Sequence, residues 1–534
     1  MQTTRRSFLK TALGAVSAVT ACSFLACAEK KHPNVLFIAV DDMKPILGCY
    51  GDKEIQTPNI DRLAARGTVF MNNHCQQAVC GPTRASLLTG LYPDEDKTWG
   101  FTMIREAIPD ILTLPEYFKN KGYTTINISK IFDYRTVDKF WDKPSWTEAF
   151  PLSEEALNPY YDKQAGPVLG YFYHSPLVKK AFERTTKQTG LTGAELIQAV
   201  HNQIKPATEC LDLPDNAYKD GVFADKAVMD LERLSHDDKP FFLAVGFERP
   251  HLPFTAPKKY WDLYDPQEIE LAAYQQMAEN DKAYYYTTSP ELRSYTAENG
   301  DHIYAKLEQG EKLTPAEQAR LIHGYRAAVS YIDAQIGKVL DKLEQLQLRD
   351  DTIVVLWGDH GWHLGDHNVW GKATNFEQAT HAPLIFAVPG QIPNSTHQPT
   401  GFIDIFPTLC RLTGLDVPEH VAGSSLVDLI QGKPDTVHRY AVSQYPRGDR
   451  MGYTVRDERY RYVEWIEPGL HVDPNAKLDH VVDKQLFDYQ TDPLETMNMA
   501  DQPACKDVQT VLAGYLREHL DKVLAHRKKY LTNE

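Results

Sequence analysis

The sequence predicts an α/β protein: a large, mostly parallel sheet flanked by helices, with a smaller antiparallel sheet near the C-terminus. Three observations carry this. Continuous apolar runs such as NVLFIAVDD and DTIVVLWGDH read as strands buried on both faces, the pattern of a parallel sheet under helices. Segments with helix caps and helical periodicity alternate with these runs. After about His438 the pattern changes to short strands of alternating polarity.

In chain order, NVLFIAVDD is a central strand that ends in Asp41 and Asp42. TPNIDRLAARG follows as a helix, with Thr57 as N-cap, Pro58 at its first position and Gly67 as terminator. TLPEYFKNKG is a second helix, and YTTINISK is a strand ending at Lys130. The run between about Tyr160 and Glu311 is less regular and rich in Tyr and Pro, so it reads as insertions around PFFLAVGFERPH, a strand ending near His251. From Thr314-Pro315 a long helix carries Val329, Ile332, Ile336, Val339 and Leu343 at helical spacing. DTIVVLWGDH is a strand that ends at Asp359 and His360, and APLIFAVPG is another. RYAVSQYP, MGYTVRDERYRYVEWI and KQLFDYQTDP make the small antiparallel sheet, closed by the helix VQTVLAGYLREHLDKVLAHRKK.

The chain has 534 residues and a formal net charge of -15, which argues against nucleic acid as a partner and requires any positive charge for an anionic ligand to be local. Its first residues read as an address. TTRRSFLK, with Arg5 and Arg6, and the apolar run TALGAVSAV resemble a bacterial twin-arginine export signal. VTAC, ending at Cys22, and FLAC, ending at Cys27, both resemble lipoprotein cleavage boxes, and either would give an N-terminal lipid anchor; the plainer reading is a cleavable signal. The expected location is the periplasm or the cell surface of a bacterium. Eight cysteines are too sparse for a disulfide scaffold.

In open α/β sheets, ligands bind beyond the carboxyl ends of the strands. Asp41, Asp42, Lys130, His251, Asp359 and His360 all fall there. Three carboxylates and one imidazole suit a divalent cation with oxygen ligands, Ca²⁺ or Mg²⁺, and also admit Mn²⁺ or Zn²⁺. A single Asp after a strand is ordinarily a turn or helix cap; two such pairs at two strand ends favour a metal. Arg84, Lys130 and Lys372 are cations able to cradle a tetrahedral anion, and His251 is able to move a proton. Cys80, in CQQAVCGPTRASLLTG, has two readings from its surroundings: a disulfide with Cys75, or a thiolate activated by a helix N-terminus and Arg84.

A third reading comes from resemblance. CGPTR has the form Cys-x-Pro-x-Arg and, followed by ASLLTG, resembles the sulfatase signature in which the cysteine becomes formylglycine (3-oxoalanine). Its context strengthens this. NVLFIAVDDMKPILGCYGD, TPNIDRLAARGTVFMNNHCQQAVCGPTRASLLTG, PFFLAVGFERPHLPF, GDHGWHLGDHNVWGKATNFEQATHAPLIF, YAVSQYPR and LFDYQTDPLETMN occur in that order. Together they resemble the iduronate-2-sulfatase-like branch of the formylglycine-dependent type I sulfatases, from about Pro33 to Met497 and most weakly between Trp146 and Asp238.

After the export signal read over 1–30, the resemblance implies an alkaline-phosphatase-like fold with a catalytic domain over 31–437 and a C-terminal subdomain over 438–534. It implies that Asp41, Asp42, Asp359 and His360 bind one Ca²⁺ together with the modified Cys80. Arg84 would stabilise the hydrated aldehyde, Lys130 and Lys372 would hold sulfate, and His251 would serve the leaving alcohol as general acid. A sulfatase-maturing enzyme would be a partner, and a sulfated, uronate-containing polysaccharide or oligosaccharide the substrate. Two acids depart from the pattern. Asp133 stands where the family usually has histidine, where it could take a proton from the hydrated aldehyde but would also repel sulfate. Glu248 stands where the branch often has a basic or aromatic residue. The alternatives are a phosphodiesterase or phosphonate monoester hydrolase of the same superfamily, or an inactive glycan-binding lipoprotein.

Overall fold

The computed structural model describes residues 32–530. Arg5, Arg6, Cys22 and Cys27 lie outside the described residues. Among the described residues no helix is long and apolar enough to cross a membrane.

Eight strands build the main sheet: β1 (Asn34–Val40), β2 (Thr68–Phe70), β3 (Thr124–Ser129), β4 (Glu148–Phe150), β5 (Phe241–Phe247), β6 (Thr352–Gly358), β7 (Leu384–Ala387) and β8 (Asn394–Thr396). Their order is β8-β2-β7-β6-β1-β5-β3-β4. The helices that matter for the site are α1 (Pro58–Ala64), α2 (Cys80–Thr89), α3 (Leu114–Asn120), α4 (Lys219–Leu234), the single turn α5 (Pro290–Arg293), α6 (Pro315–Gln345) and α7 (Lys506–Tyr530).

β1 sits between β5 and β6 and runs parallel to both, and β3 runs parallel to β5. Val35 to Val40 have no exposed surface, as a doubly covered strand requires. Leu36, Ile38 and Val40 face one core, packed with α1, α4 and α6. Val35, Phe37 and Ala39 face the other, packed with α2 and α3. The alternation follows from the two-residue period of a strand. The long helix begins as its sequence predicts: Thr314 and Glu317 form a reciprocal capping box.

Two expectations are modified. β7, the APLIFAVPG strand, runs antiparallel to both β6 and β2, so the sheet is mixed. The segment from Asp359 to Pro383 makes no crossover over a sheet face. It folds at the carboxyl end, with Gly361 N–H on Ala379 O at 2.9 Å, and returns beside β6 in the opposite sense. Helix α1 starts as expected, with Thr57 at the N-cap and Pro58 first, though the Thr57 hydroxyl accepts from Gly48 N at 3.0 Å rather than from its own helix; the helix ends at Ala64, short of Gly67.

The C-terminal sheet is β9 (Ala441–Arg447), β10 (Arg450–Arg456), β11 (Tyr460–Ile466) and β12 (Val481–Asp488), antiparallel in sequence order. Leu512, Leu516 and Leu520 of α7 pack on Met451, Tyr453 and Leu486 of this sheet. Strand β9 reaches back to the site. Ser443 Oγ donates to Cys75 O at 2.6 Å, and Gln444 N–H donates to Gln76 O at 2.8 Å. Arg447 donates to Ala373 O. The small sheet therefore fixes the loop before Cys80 and the loop that carries Lys372.

Candidate active site

The ladder hydrogen bonds continue past the strand ends and place the first site residues. Asp41 N–H donates to Phe247 O at 3.1 Å, and Asp359 N–H donates to Val40 O at 3.2 Å. Asp42 then takes a left-handed φ of 59° and donates its N–H to Asp359 Oδ1 at 2.9 Å. Its carbonyl accepts from the buried Tyr325 hydroxyl at 2.7 Å. Lys130 leaves β3 through Ser129, also left-handed with φ 65°. Gly246 in the neighbouring strand permits this: a Cβ there would stand 2.4 Å from Lys130 O. Cys80 is the first residue of α2, and all of that helix is buried.

Arg84, four residues on and fully buried, ties the strand ends together. Its Nε donates to Asp359 Oδ2 at 2.9 Å, its Nη2 to Asp41 Oδ1 at 3.1 Å, and its Nη1 to the carbonyls of Lys130 and Ile131. Burial works against the Asp41 carboxylate, but Lys130 and Arg84 more than offset it and hold its pKa well below the usual range. Lys130 Nζ lies 2.5 Å from Asp41 Oδ2. Burial is the largest influence on Lys130 and lowers its pKa, but Asp41, Cys80 and Asp133 together outweigh it and the net shift is upward. Lys372, just past the short strand Trp370–Gly371, donates to both oxygens of Asp42 at 2.7 and 2.8 Å.

These groups surround the Cys80 sulfur. His360 Nε2 is 3.3 Å from Sγ, Lys372 Nζ is 3.5 Å and Asp42 Oδ1 is 3.7 Å. Cys75 and Cys80 are both free, and the Cys75 thiol points instead towards Ala379 O at 3.9 Å. Burial, with Asp41, pushes the Cys80 thiol pKa well above its usual value, against the pull of Lys130 and Lys372.

The donor set fits a divalent cation. One ligand atom from each of Asp42, Cys80, Asp359 and His360 lies within 4.8 Å of the others, and Asp41, Asp42, Cys80 and His251 form a second such group. His360 Nδ1 faces Gly361 O at 2.9 Å, which assigns the ring proton to that nitrogen and leaves the Nε2 lone pair towards the carboxylates. Buried acceptors gathered in this way are stable only around a positive charge.

His251 is placed by two contacts: Nδ1 lies 2.7 Å from Leu252 O, and Nε2 lies 2.9 Å from Glu291 Oε1. Burial lowers its pKa, but Glu291 and then Asp42, 3.8 Å away, bring the net shift upward. Glu291 also reaches Lys372, at 3.2 Å. Nothing in the sequence points to Glu291, which sits on the one-turn helix α5 inside the irregular region.

Asp133 is brought to the cluster but is already engaged. Oδ1 and Oδ2 accept from Arg135 Nε and Nη2 at 2.8 and 2.7 Å, and Lys130 Nζ is 3.8 Å away. Burial would raise this carboxyl, but Arg135 and Lys130 hold its pKa at about 2. Glu248 lies to the side, 3.8 Å from both Lys219 and Arg249. Arg135 is the other residue that sequence reading misses. The only signal for it was the acid two positions earlier in DYR.

A family model described as Sulfatase matches residues 33–415, and one described as N-sulphoglucosamine sulphohydrolase, C-terminal, matches residues 365–522. The chain is 32% identical to iduronate 2-sulfatase of Homo sapiens, over 87% of this chain and 90% of that protein. It is also 32% identical to a sulfatase of Formosa agariphila, over 89% of this chain and 84% of that protein. Among solved structures, BT4656 in complex with its substrate D-glucosamine-2-N,6-O-disulfate matches with a TM-score of 0.68 at 19% identity, over 94% of this chain and all of that one.

Proposed function

The chain belongs to the sulfatase family, and from that premise we propose that it hydrolyses sulfate esters of a sulfated carbohydrate of the uronate-containing, iduronate-2-sulfatase-like kind. One observation carries the reading: Cys80 opens a buried helix at the point where the metal-type donors, two lysines and His251 converge. The similarity to human iduronate 2-sulfatase supports the substrate class. We further propose export and attachment at the bacterial envelope, from the N-terminal signal.

Asp41, Asp42, Asp359 and His360, with Cys80, would hold a calcium ion, which when bound polarises a sulfate oxygen as a Lewis acid. Matured to formylglycine, Cys80 would supply a hydrated aldehyde as nucleophile. Arg84 orients the Asp41 and Asp359 carboxylates and closes the floor of the site. Lys130 and Lys372 supply the charge that offsets sulfate oxygens, in a buried setting where such preorganised charge is worth most. His251, with Nε2 directed into the site and its other nitrogen held by Leu252 O, is placed to protonate the departing alcohol.

Two measurements test this. The first is peptide mass spectrometry across Cys80, on protein co-expressed with a sulfatase-maturing enzyme, together with rates on matched aryl sulfate and aryl phosphate esters. Formylglycine and a preference for sulfate are expected. An unmodified thiol, where a known sulfatase is matured, removes the proposed nucleophile, and a preference for phosphate moves the chain to the phosphoester branch of the superfamily. The second concerns His251→Ala. It should lower kcat on a sugar sulfate by ~10²–10⁴-fold, and far less on an aryl sulfate whose phenolate leaves without a proton. Equal losses on both esters would exclude His251 as the general acid.

A further inference from the structure

Asp133 is expected from the sequence to turn a negative charge towards the substrate. In the structure a cation covers it. The guanidinium of Arg135 is held along one edge by the Asp133 carboxylate, at 2.8 and 2.7 Å, and Nη1 makes no hydrogen bond among the described residues. Its side chain is 36% exposed while that of Asp133 is fully buried, so a ligand meets the guanidinium rather than the acid.

Two aromatic rings flank it. The Phe101 ring centre lies 3.5 Å from Arg135 Cζ, and the Tyr134 ring centre lies at 5.2 Å. Both rings are exposed. This group leans on the residue beside the nucleophile: a Cβ at Gly81 would stand 2.9 Å from Phe101 Cδ1 and 3.1 Å from Thr136 Cγ2. Asp133 Oδ2, in contact with Arg135, is also only 3.8 Å from Lys130 Nζ. Arg135 and Lys130 thus both approach Oδ2 of one carboxylate, which keeps the two cations within the span of a single sugar ring.

We propose that Arg135 is a specificity-determining residue that receives a second anionic group of the substrate, a carboxylate or a second sulfate, while Phe101 and Tyr134 support the sugar ring between that group and the scissile ester. The inference rests on the sulfate-ester reading above. The ion pair and the two rings hold a planar fork of donors open, in the geometry that matches carboxylate and sulfate oxygens, so little side-chain entropy remains to be lost on binding. In a chain of net charge -15, retention of a multiply charged anion depends on such local cations.

The test is steady-state kinetics of the matured, metal-loaded enzyme on three esters with the same scissile sulfate. One is otherwise neutral, one carries a carboxylate on the same ring, and one carries a second sulfate. Arg135→Gln should lower kcat/KM on a doubly charged ester by about 10–100-fold more than on the neutral one, chiefly through KM. The ester with the larger loss identifies the group received. The double variant Asp133→Asn/Arg135→Gln removes the buried charge as well and should show the same selective loss, which separates a missing anion contact from an unpaired Asp133. Equal losses on all three esters, in either variant, overturn the proposal and leave the sulfate-ester reading standing. Failure of the unaltered enzyme to cleave any of the three overturns that reading instead.

Discussion

Replacing Cys80 by alanine is expected to abolish ester hydrolysis, by ~10⁴-fold or more in kcat, and to leave the fold intact. The reason is positional. His360, Lys372 and Asp42 are all directed at this one sulfur, within 3.3 to 3.7 Å. Two of the three hydroxyls that share its helix are engaged elsewhere, Thr83 Oγ1 donating to Gln77 O and Thr89 Oγ1 to Ala85 O, and the third, on Ser86, makes no hydrogen bond to the Cys80 cluster among the described residues. Alanine removes one small buried atom and leaves the Arg84 network untouched, so the melting temperature should move by no more than a few degrees. Activity within tenfold of the parent would mean that another group attacks the ester, and the proposed chemistry would fail.

Chelation of divalent cations should have the next largest effect: ~10³-fold or more in turnover, restored by Ca²⁺. Lys130 and Lys372 compete with a cation for the same carboxylates, lying 2.5 Å from Asp41 and 2.7 Å from Asp42. Once the cation is stripped, they join Arg84 as counter-charges for those acids and are less available to sulfate. Binding should also register without any substrate. Calcium at about 100 times its dissociation constant adds about 2.7 kcal/mol to stability, which for a chain of this size is a rise of about 2–3 °C in melting temperature. A chelator that changes neither rate nor melting temperature would refute the metal assignment. If Mg²⁺ restored both and Ca²⁺ did not, the choice of ion would be wrong and the site right.

Much of the site was legible before the fold. Apolar runs that end abruptly in Asp41-Asp42 and Asp359-His360 are visible because a doubly buried strand tolerates no charge until it leaves the sheet. Lys130 directly follows β3 for the same reason, whereas β5 ends at Phe247, short of where the sequence places the strand end, and His251 lies in the turn beyond it. The signature around Cys80 is local, so it too is readable. Three things were not. The direction of β7 depends on the path of the 359–383 segment, which has no strand or helix periodicity to announce it. Glu291 reaches His251 and Lys372 from an insertion, forty residues and more from either. The engagement of Asp133 by Arg135 depends on the turn after Lys130, which brings the two side chains into register.

The sequence alone therefore determined the fold class, most of the strand ends that lead into the site, the Cys-x-Pro-x-Arg signature and the set of charges. It could do so because burial, periodicity and short motifs are properties of neighbours along the chain. Only the tertiary structure decided which charge meets which: Arg84 with Asp41 and Asp359, Lys372 with Asp42, Glu291 with His251, and Arg135 over Asp133. Ion pairing acts over a few ångströms in space, and the residues that meet here are mostly separated by long stretches of chain, so their partners are set by the packing of the sheet and its insertions.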